Sequence, residues 1–208
     1  ECVILRLTIT RYKMGLPSKY SHKEDQELIT NYDLIAAAHA LLGGIELDPA
    51  SSDVANSYVE AERYYTPSDD GLNEQPWDGN VYLFPPSGTY FFDRKNDRWK
   101  YTRGSAAQLK SSHAVWFNKL LKSWLKRDIR QGLYFSNCPD MIRHDQRIFD
   151  FPMCILKTAP KLTKRTSEGI SEQPTCTSFL VFLPPTDGLE HSLELFESIY
   201  GEKGRLLI

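Results

Sequence analysis

The segment that most narrows the folds open to this chain is Val81-Tyr82-Leu83-Phe84, which runs straight into Pro85-Pro86. A short unbroken apolar run bounded by turn residues reads as a strand buried on both faces. Such strands belong to parallel sheets covered by helices. The two prolines fix φ and remove two backbone donors, so the ladder must stop there. Ser178-Phe179-Leu180-Val181-Phe182-Leu183 is a second buried strand candidate. Shorter ones are Ile45-Glu46-Leu47, Tyr64-Tyr65-Thr66, Gly132-Leu133-Tyr134-Phe135, residues 149–156 with a break at Pro152, and residues 205–208.

Helical spacing falls between these runs. Residues 33–42 place Leu34, Ile35, Ala38, Leu41 and Leu42 on one face and end at Gly43-Gly44. Residues 52–61 and 193–200 read as helices, and 109–127 as a long one with Val115, Trp116, Leu120, Trp124 and Leu125 on its apolar side. Residues 11–27 read as loop or a short helix, 93–104 as a charged loop, and 163–175 as a polar, mobile stretch. The start, Glu1 to Leu7, reads as an alternating strand or the remnant of a longer chain. The alternation predicts an α/β fold: a largely parallel sheet with helices on both faces, carrying an antiparallel edge where late strands follow one another. Residues 1–27 form an N-terminal extension and 28–208 one domain.

Composition narrows the function classes. A chain of 208 residues, 41% hydrophobic and 25% charged, suits one globular domain. No apolar run reaches the 18 residues of a membrane span, and the start lacks a signal-peptide layout, so no membrane partner is expected. The four cysteines, Cys2, Cys138, Cys154 and Cys176, form no CxxC pair. They read as reduced, mostly buried thiols of an intracellular protein, in cytoplasm or nucleus, with no metal site. Charge is uneven: residues 1–80 hold 6 basic and 14 acidic side chains, a net of −8, and residues 81–208 hold 19 and 13, a net of +6. A polyanion would meet the second half.

Open parallel sheets bind ligands at the carboxyl ends of their strands. Three such ends stand out. Ile45-Glu46-Leu47-Asp48-Pro49-Ala50-Ser51-Ser52 puts an Asp and small residues where a ligand can approach the backbone, although the plainer local reading is an Asx turn opening a helix. Asp69-Asp70-Gly71-Leu72, shortly before Pro76-Trp77, is an acidic turn that could bind an amine or a hydroxyl, or simply be solvated. Phe84-Pro85-Pro86-Ser87-Gly88 leaves carbonyl acceptors in a rigid frame, and on local grounds alone it is an ordinary loop after a buried strand.

Taken in order, the pieces form a longer pattern: Thr30-Asn31, Leu34-Ile35-Ala36-Ala37-Ala38, Leu47-Asp48-Pro49-Ala50-Ser51, Ala55-Asn56, Ala61-Glu62-Arg63-Tyr64-Tyr65-Thr66, Asp70-Gly71-Leu72, Pro76-Trp77-Asp78-Gly79 and Phe84-Pro85-Pro86-Ser87. Over residues 28–88 this resembles the phage-type DNA N6-adenine methyltransferases (the Dam family); beyond 88 the similarity is looser. The resemblance implies a Rossmann-like fold that uses S-adenosylmethionine (SAM) and acts on double-stranded DNA. It implies cofactor contacts at Thr30, Asp48, Pro49, Ala50 and Ser51, with Asp70 a weaker candidate. The catalytic tetrapeptide falls on Phe84, Pro85, Pro86 and Ser87. In the family its first side chain and a proline carbonyl accept hydrogen bonds from the amino group of a flipped base, and its last, an aromatic, stacks on that base.

Three positions depart from the pattern. Asn31 replaces a Pro, Phe84 replaces Asn or Asp and cannot accept a hydrogen bond, and Ser87 replaces Tyr. Tyr90, Phe91 and Phe92 are the nearby aromatics that could stack instead. For DNA contact the best set is Arg94, Lys95, Arg98, Lys100 and Arg103, interleaved with Trp99 and Tyr101. Lys119, Lys122, Lys126, Arg127 and Arg130 read as the solvated side of the long helix, and Lys161, Lys164 and Arg165 as a third basic group. His113 and His144 read as satisfied or surface residues. Two readings follow: a SAM-dependent DNA amino-methyltransferase, for adenine N6 before cytosine N4, or a methyltransferase-like module that binds DNA or serves as the silent subunit of an active partner. A methyltransferase-like enzyme with a substrate other than DNA is a weaker third.

Overall fold

The computed structural model describes residues 27–102, 109–166 and 169–208, with backbone alone for 27, 28, 164–166, 169 and 170. The expectations for residues 1–26 and for Arg103 and Cys2 lie outside the described residues.

A short strand β1 (Glu27–Ile29) leads into α1 (Tyr32–Leu42). Asn31 caps this helix, its side chain accepting from the Leu34 amide at 3.2 Å, and Gly43 closes it in the left-handed conformation. There follow β2 (Leu47–Asp48), α2 (Asp53–Val59), β3 (Arg63–Tyr64) and β4 (Gly79–Leu83). Three strands then make a separate antiparallel sheet: β5 (Thr89–Asp93), β6 (Arg98–Thr102) and β7 (Lys110–Ser111), in the order β6-β5-β7. The long helix α3 (Ser112–Leu125) feeds β8 (Ile129–Ser136), followed by α4 (Met141–His144) and a 3-10 turn at Gln146–Asp150. The chain ends with β9 (Met153–Leu156), the hairpin β10 (Lys161–Thr166) and β11 (Gly169–Pro174), β12 (Phe179–Leu183), α5 (Leu189–Tyr200) and β13 (Gly204–Leu207).

Seven strands form the central sheet in the order β13-β9-β12-β8-β4-β2-β3. β3, β2, β4 and β8 are mutually parallel, while β12 runs antiparallel between β8 and β9. Helices cover both faces, as period-two alternation along the strands requires. Tyr82, Leu133, Phe135, Leu180 and Phe182 face α1 and α5. Val81, Leu83, Tyr134, Phe179 and Val181 face α3.

Several expectations need correction. The antiparallel edge is present as β13, which pairs antiparallel with β9, but a second antiparallel strand, β12, lies inside the sheet. The charged stretch 93–104 is in large part the β5–β6 hairpin, and the polar stretch 163–175 is built mainly from β10 and β11, with β1 pairing to β10. Of the described cysteines only Cys154 is buried; Cys138 is half-buried and Cys176 exposed. Among the described residues, no helix is long and apolar enough to cross a membrane, and no group of three or more His, Cys, Asp or Glu could hold a metal ion.

Candidate functional site at the strand-order reversal

Within the parallel core, β3 lies on one side of β2 and β4 on the other. The carboxyl ends of β2 and β4 therefore flank the point where strand order reverses, the position at which open α/β sheets bind ligands. Leu47 pairs with Val81. The segments Asp48-Pro49-Ala50-Ser51 and Phe84-Pro85-Pro86-Ser87 thus leave the sheet from neighbouring parallel strands, whose backbones lie ~4.8 Å apart in the sheet.

Side chains around these ends interlock. Thr30, buried just before α1, shares a 2.7 Å hydrogen bond with the Tyr82 hydroxyl in β4. Burial raises the Tyr82 phenol far above its ordinary range, and the nearby Asp48 carboxylate adds to the rise, so the group stays a neutral hydroxyl. Asp48 is itself buried, and its Oδ1 accepts from the Ala50 amide at 3.2 Å, turning the chain sharply after β2. Ser52 caps α2 through the Ala55 amide, and Asn56 closes the turn into β3 by bonding both the N–H and the carbonyl of Ala61. The Ser51 hydroxyl is buried and, among the described residues, has no hydrogen-bond partner.

The Asp70-Gly71-Leu72 turn packs on this loop so closely that a β-carbon on Gly71 would overlap the Pro49 carbonyl oxygen. Trp77 Nε1 donates to the Gly71 carbonyl at 2.8 Å. Lys119, reaching over from α3, donates to the carbonyls of Gly71, Leu72 and Gln75 at 2.8–2.9 Å while its ammonium sits 4.9 Å from the Trp77 ring centroid. Lys119 is thus no solvated helix residue. Its spacing already hinted at this: it lies three residues after Trp116, on the helix face that is buried.

Asp70 adopts a positive φ of 51° and is ion-paired to Arg98, with Asn73 donating to both its oxygens. Asn73 also exchanges hydrogen bonds with the backbone of Trp99, at 2.8 and 3.0 Å, so the turn is fastened to β6.

The proline turn is held at its far end by the Ser112 amide, which donates to the Gly88 carbonyl at 2.9 Å. Pro85 is buried, Pro86 exposed and Ser87 half-buried. The Phe84 ring turns away from the loop, edge-on to Phe135 at 4.9 Å and packed against the α1/α5 side of the core.

Of the expected DNA-facing cations, Arg94 and Lys95 stand exposed at the hairpin tip. Arg98 pairs with Asp70 and Glu74, and Lys100 with Asp93 at 2.6 Å. Trp99 lies half-buried between Phe92 and Lys110, and Tyr101 is exposed. In the third basic group Lys161 pairs with Glu172. His113 is buried and bonded, while His144 is exposed. No family model, curated protein or solved structure matches the chain.

Proposed function

We propose that this domain transfers a methyl group from S-adenosylmethionine to the exocyclic amino group of a base in double-stranded DNA, adenine N6 before cytosine N4. The observation that carries the reading is the convergence of Asp48-Pro49-Ala50-Ser51 and Phe84-Pro85-Pro86-Ser87 at the strand-order reversal. Those are the two segments that the resemblance to phage-type DNA adenine methyltransferases selects. A parallel core whose order turns back at β2 also suits the Rossmann-like fold that the resemblance implies.

The residues present fit the cofactor. Asp48 supplies a buried carboxylate, and the Ser51 hydroxyl is an orphaned polar group beside it. Buried polar groups without partners are rare, and a bound ligand at this strand end would complete this one. Thr30, Asp48, Pro49, Ala50 and Ser51 would hold SAM, with Asp70 positioning the neighbouring turn. When bound, SAM supplies an electrophilic methyl carbon on a sulfonium. The chain's own contribution is positioning: the Pro85-Pro86 frame offers carbonyl acceptors and no N–H donors, so an amino group directed there is oriented by acceptors alone.

One observation favours a second reading, a methyltransferase-like module that binds DNA without catalysis or acts as a silent subunit. Phe84 has no acceptor, and its ring is committed to Phe135. Losing one acceptor to a polarised group costs roughly 2–4 kcal/mol of barrier, by analogy with lost oxyanion donors. The test is transfer of labelled methyl from SAM to unmethylated duplex DNA by native protein and Phe84→Asn. Labelling by native protein supports the enzyme. Silence that Phe84→Asn relieves supports the binding module. Silence of both removes support for catalysis at this site.

A further inference from the structure

We infer that the β5–β6 hairpin forms one wall of the base-binding site, with Tyr101 as the aromatic surface on which a nucleobase lies. The inference rests on the proposed DNA-directed function and adds to it a residue outside the tetrapeptide. Gly88, the residue that follows Phe84-Pro85-Pro86-Ser87, has a φ of 128° and lies against the hydroxyl end of the Tyr101 ring. A β-carbon there would overlap the ring and lie 3.0 Å from its hydroxyl, so glycine is what allows the ring to seat on the turn. Tyr101 nevertheless stays 45% exposed.

The ring is held in place. It meets Tyr90 edge-to-face at 5.6 Å, and Tyr90 is buried and accepts from Trp116 Nε1 at 3.4 Å. The strand bearing Tyr101 is fastened to the Asp70-Gly71-Leu72 turn through the Asn73–Trp99 backbone bonds and the Arg98–Asp70 pair. An exposed aromatic ring, fixed against the end of the proline turn, offers a π-surface to a flat ligand. Base–aromatic stacking uses such a surface and tolerates every base. Exposed Arg94 and Lys95 at the tip of the same hairpin supply charge for the phosphates on either side. Ser87, where the tetrapeptide lacks an aromatic, is one residue from the glycine that carries the ring.

The test measures binding of a mixed-sequence single-stranded oligodeoxynucleotide and of an abasic deoxyribose-phosphate strand of equal length. Native protein, Tyr101→Phe, Tyr101→Leu and Tyr101→Ala are compared by fluorescence anisotropy, with thermal melting as the check on folding. SAM binding is measured by calorimetry on the same preparations. Native protein and Tyr101→Phe should prefer the base-bearing strand. Tyr101→Leu and Tyr101→Ala should bind it about 5- to 100-fold more weakly, with affinity for the abasic strand unchanged. Tyr101→Leu keeps apolar bulk over Gly88 and so separates stacking from folding. The inference is overturned if Tyr101→Leu binds the base-bearing strand as native protein does, or if native protein does not distinguish the two strands. Loss of SAM binding by native protein strikes instead at the proposed function.

Discussion

His113 gives the fold a pH dependence that can be worked out from its surroundings. The side chain sits in the first turn of α3, 3% exposed, with Nδ1 2.9 Å from the Tyr134 hydroxyl and 3.2 Å from the Ser136 hydroxyl. Burial pushes the imidazole down from 6.5 to about 3. Between those values the unfolded chain takes up a proton here and the folded chain does not, so stability is lost as pH falls below about 6.5. At pH 5 the loss from this one residue is about 2 kcal/mol relative to neutral pH. His113 is neutral in the folded state at pH 5, so the loss is set by proton uptake in the unfolded chain. Urea denaturation of native protein and His113→Gln at pH 7 and pH 5 isolates the effect. Glutamine keeps a polar group near Tyr134 and Ser136 but cannot titrate. Native protein should lose about 2 kcal/mol more than the variant over this interval. Equal losses would mean that His113 takes up its proton in the folded state as readily as in the unfolded chain, and so contributes nothing to the pH dependence.

Two further substitutions probe the framework. Gly71→Ala forces a β-carbon onto the Pro49 carbonyl oxygen and the Tyr65 side chain. It should cost about 1–3 kcal/mol in denaturant midpoint and also weaken SAM binding, because the loop it displaces is the one that holds Asp48. Arg127 occupies the left-handed position after α3, with φ 63°, its N–H bonded to the Trp124 carbonyl and that of Asp128 to Ser123. Arg127→Gly should relieve that strain and stabilise the protein by about 1 kcal/mol, read as a rise in melting temperature.

The apolar elements were legible because burial leaves a period in the sequence. β4 and its proline stop, β12, and the α1 stripe closed by Gly43 all lie where spacing puts them. The site was legible in part: Asp48 and Pro85 fall at strand ends, but only strand order, which is non-local, puts those ends side by side. β6 and β10 escaped because their residues, Arg98-Trp99-Lys100-Tyr101 and Lys161-Leu162-Thr163-Lys164, alternate charged or polar side chains with others and lack a continuous apolar run. Each nevertheless buries one side of its alternation, Leu162 within the core and Trp99 packed against it. Lys119 was hidden by its residue type, since an ammonium is buried only when carbonyls receive it, and those carbonyls lie more than forty positions away. Asp70 and Arg98 are separate ligand candidates by sequence, and the fold joins them in one ion pair.

We propose that the reversal between β2 and β4 binds SAM. The most direct test is calorimetric titration of SAM into native protein and Asp48→Asn, with melting curves to establish that both are folded. Native protein should bind SAM, and Asp48→Asn should bind it at least about tenfold more weakly, a loss of ~1.4 kcal/mol. Absence of binding by folded native protein, or equal binding by the two proteins, would contradict it.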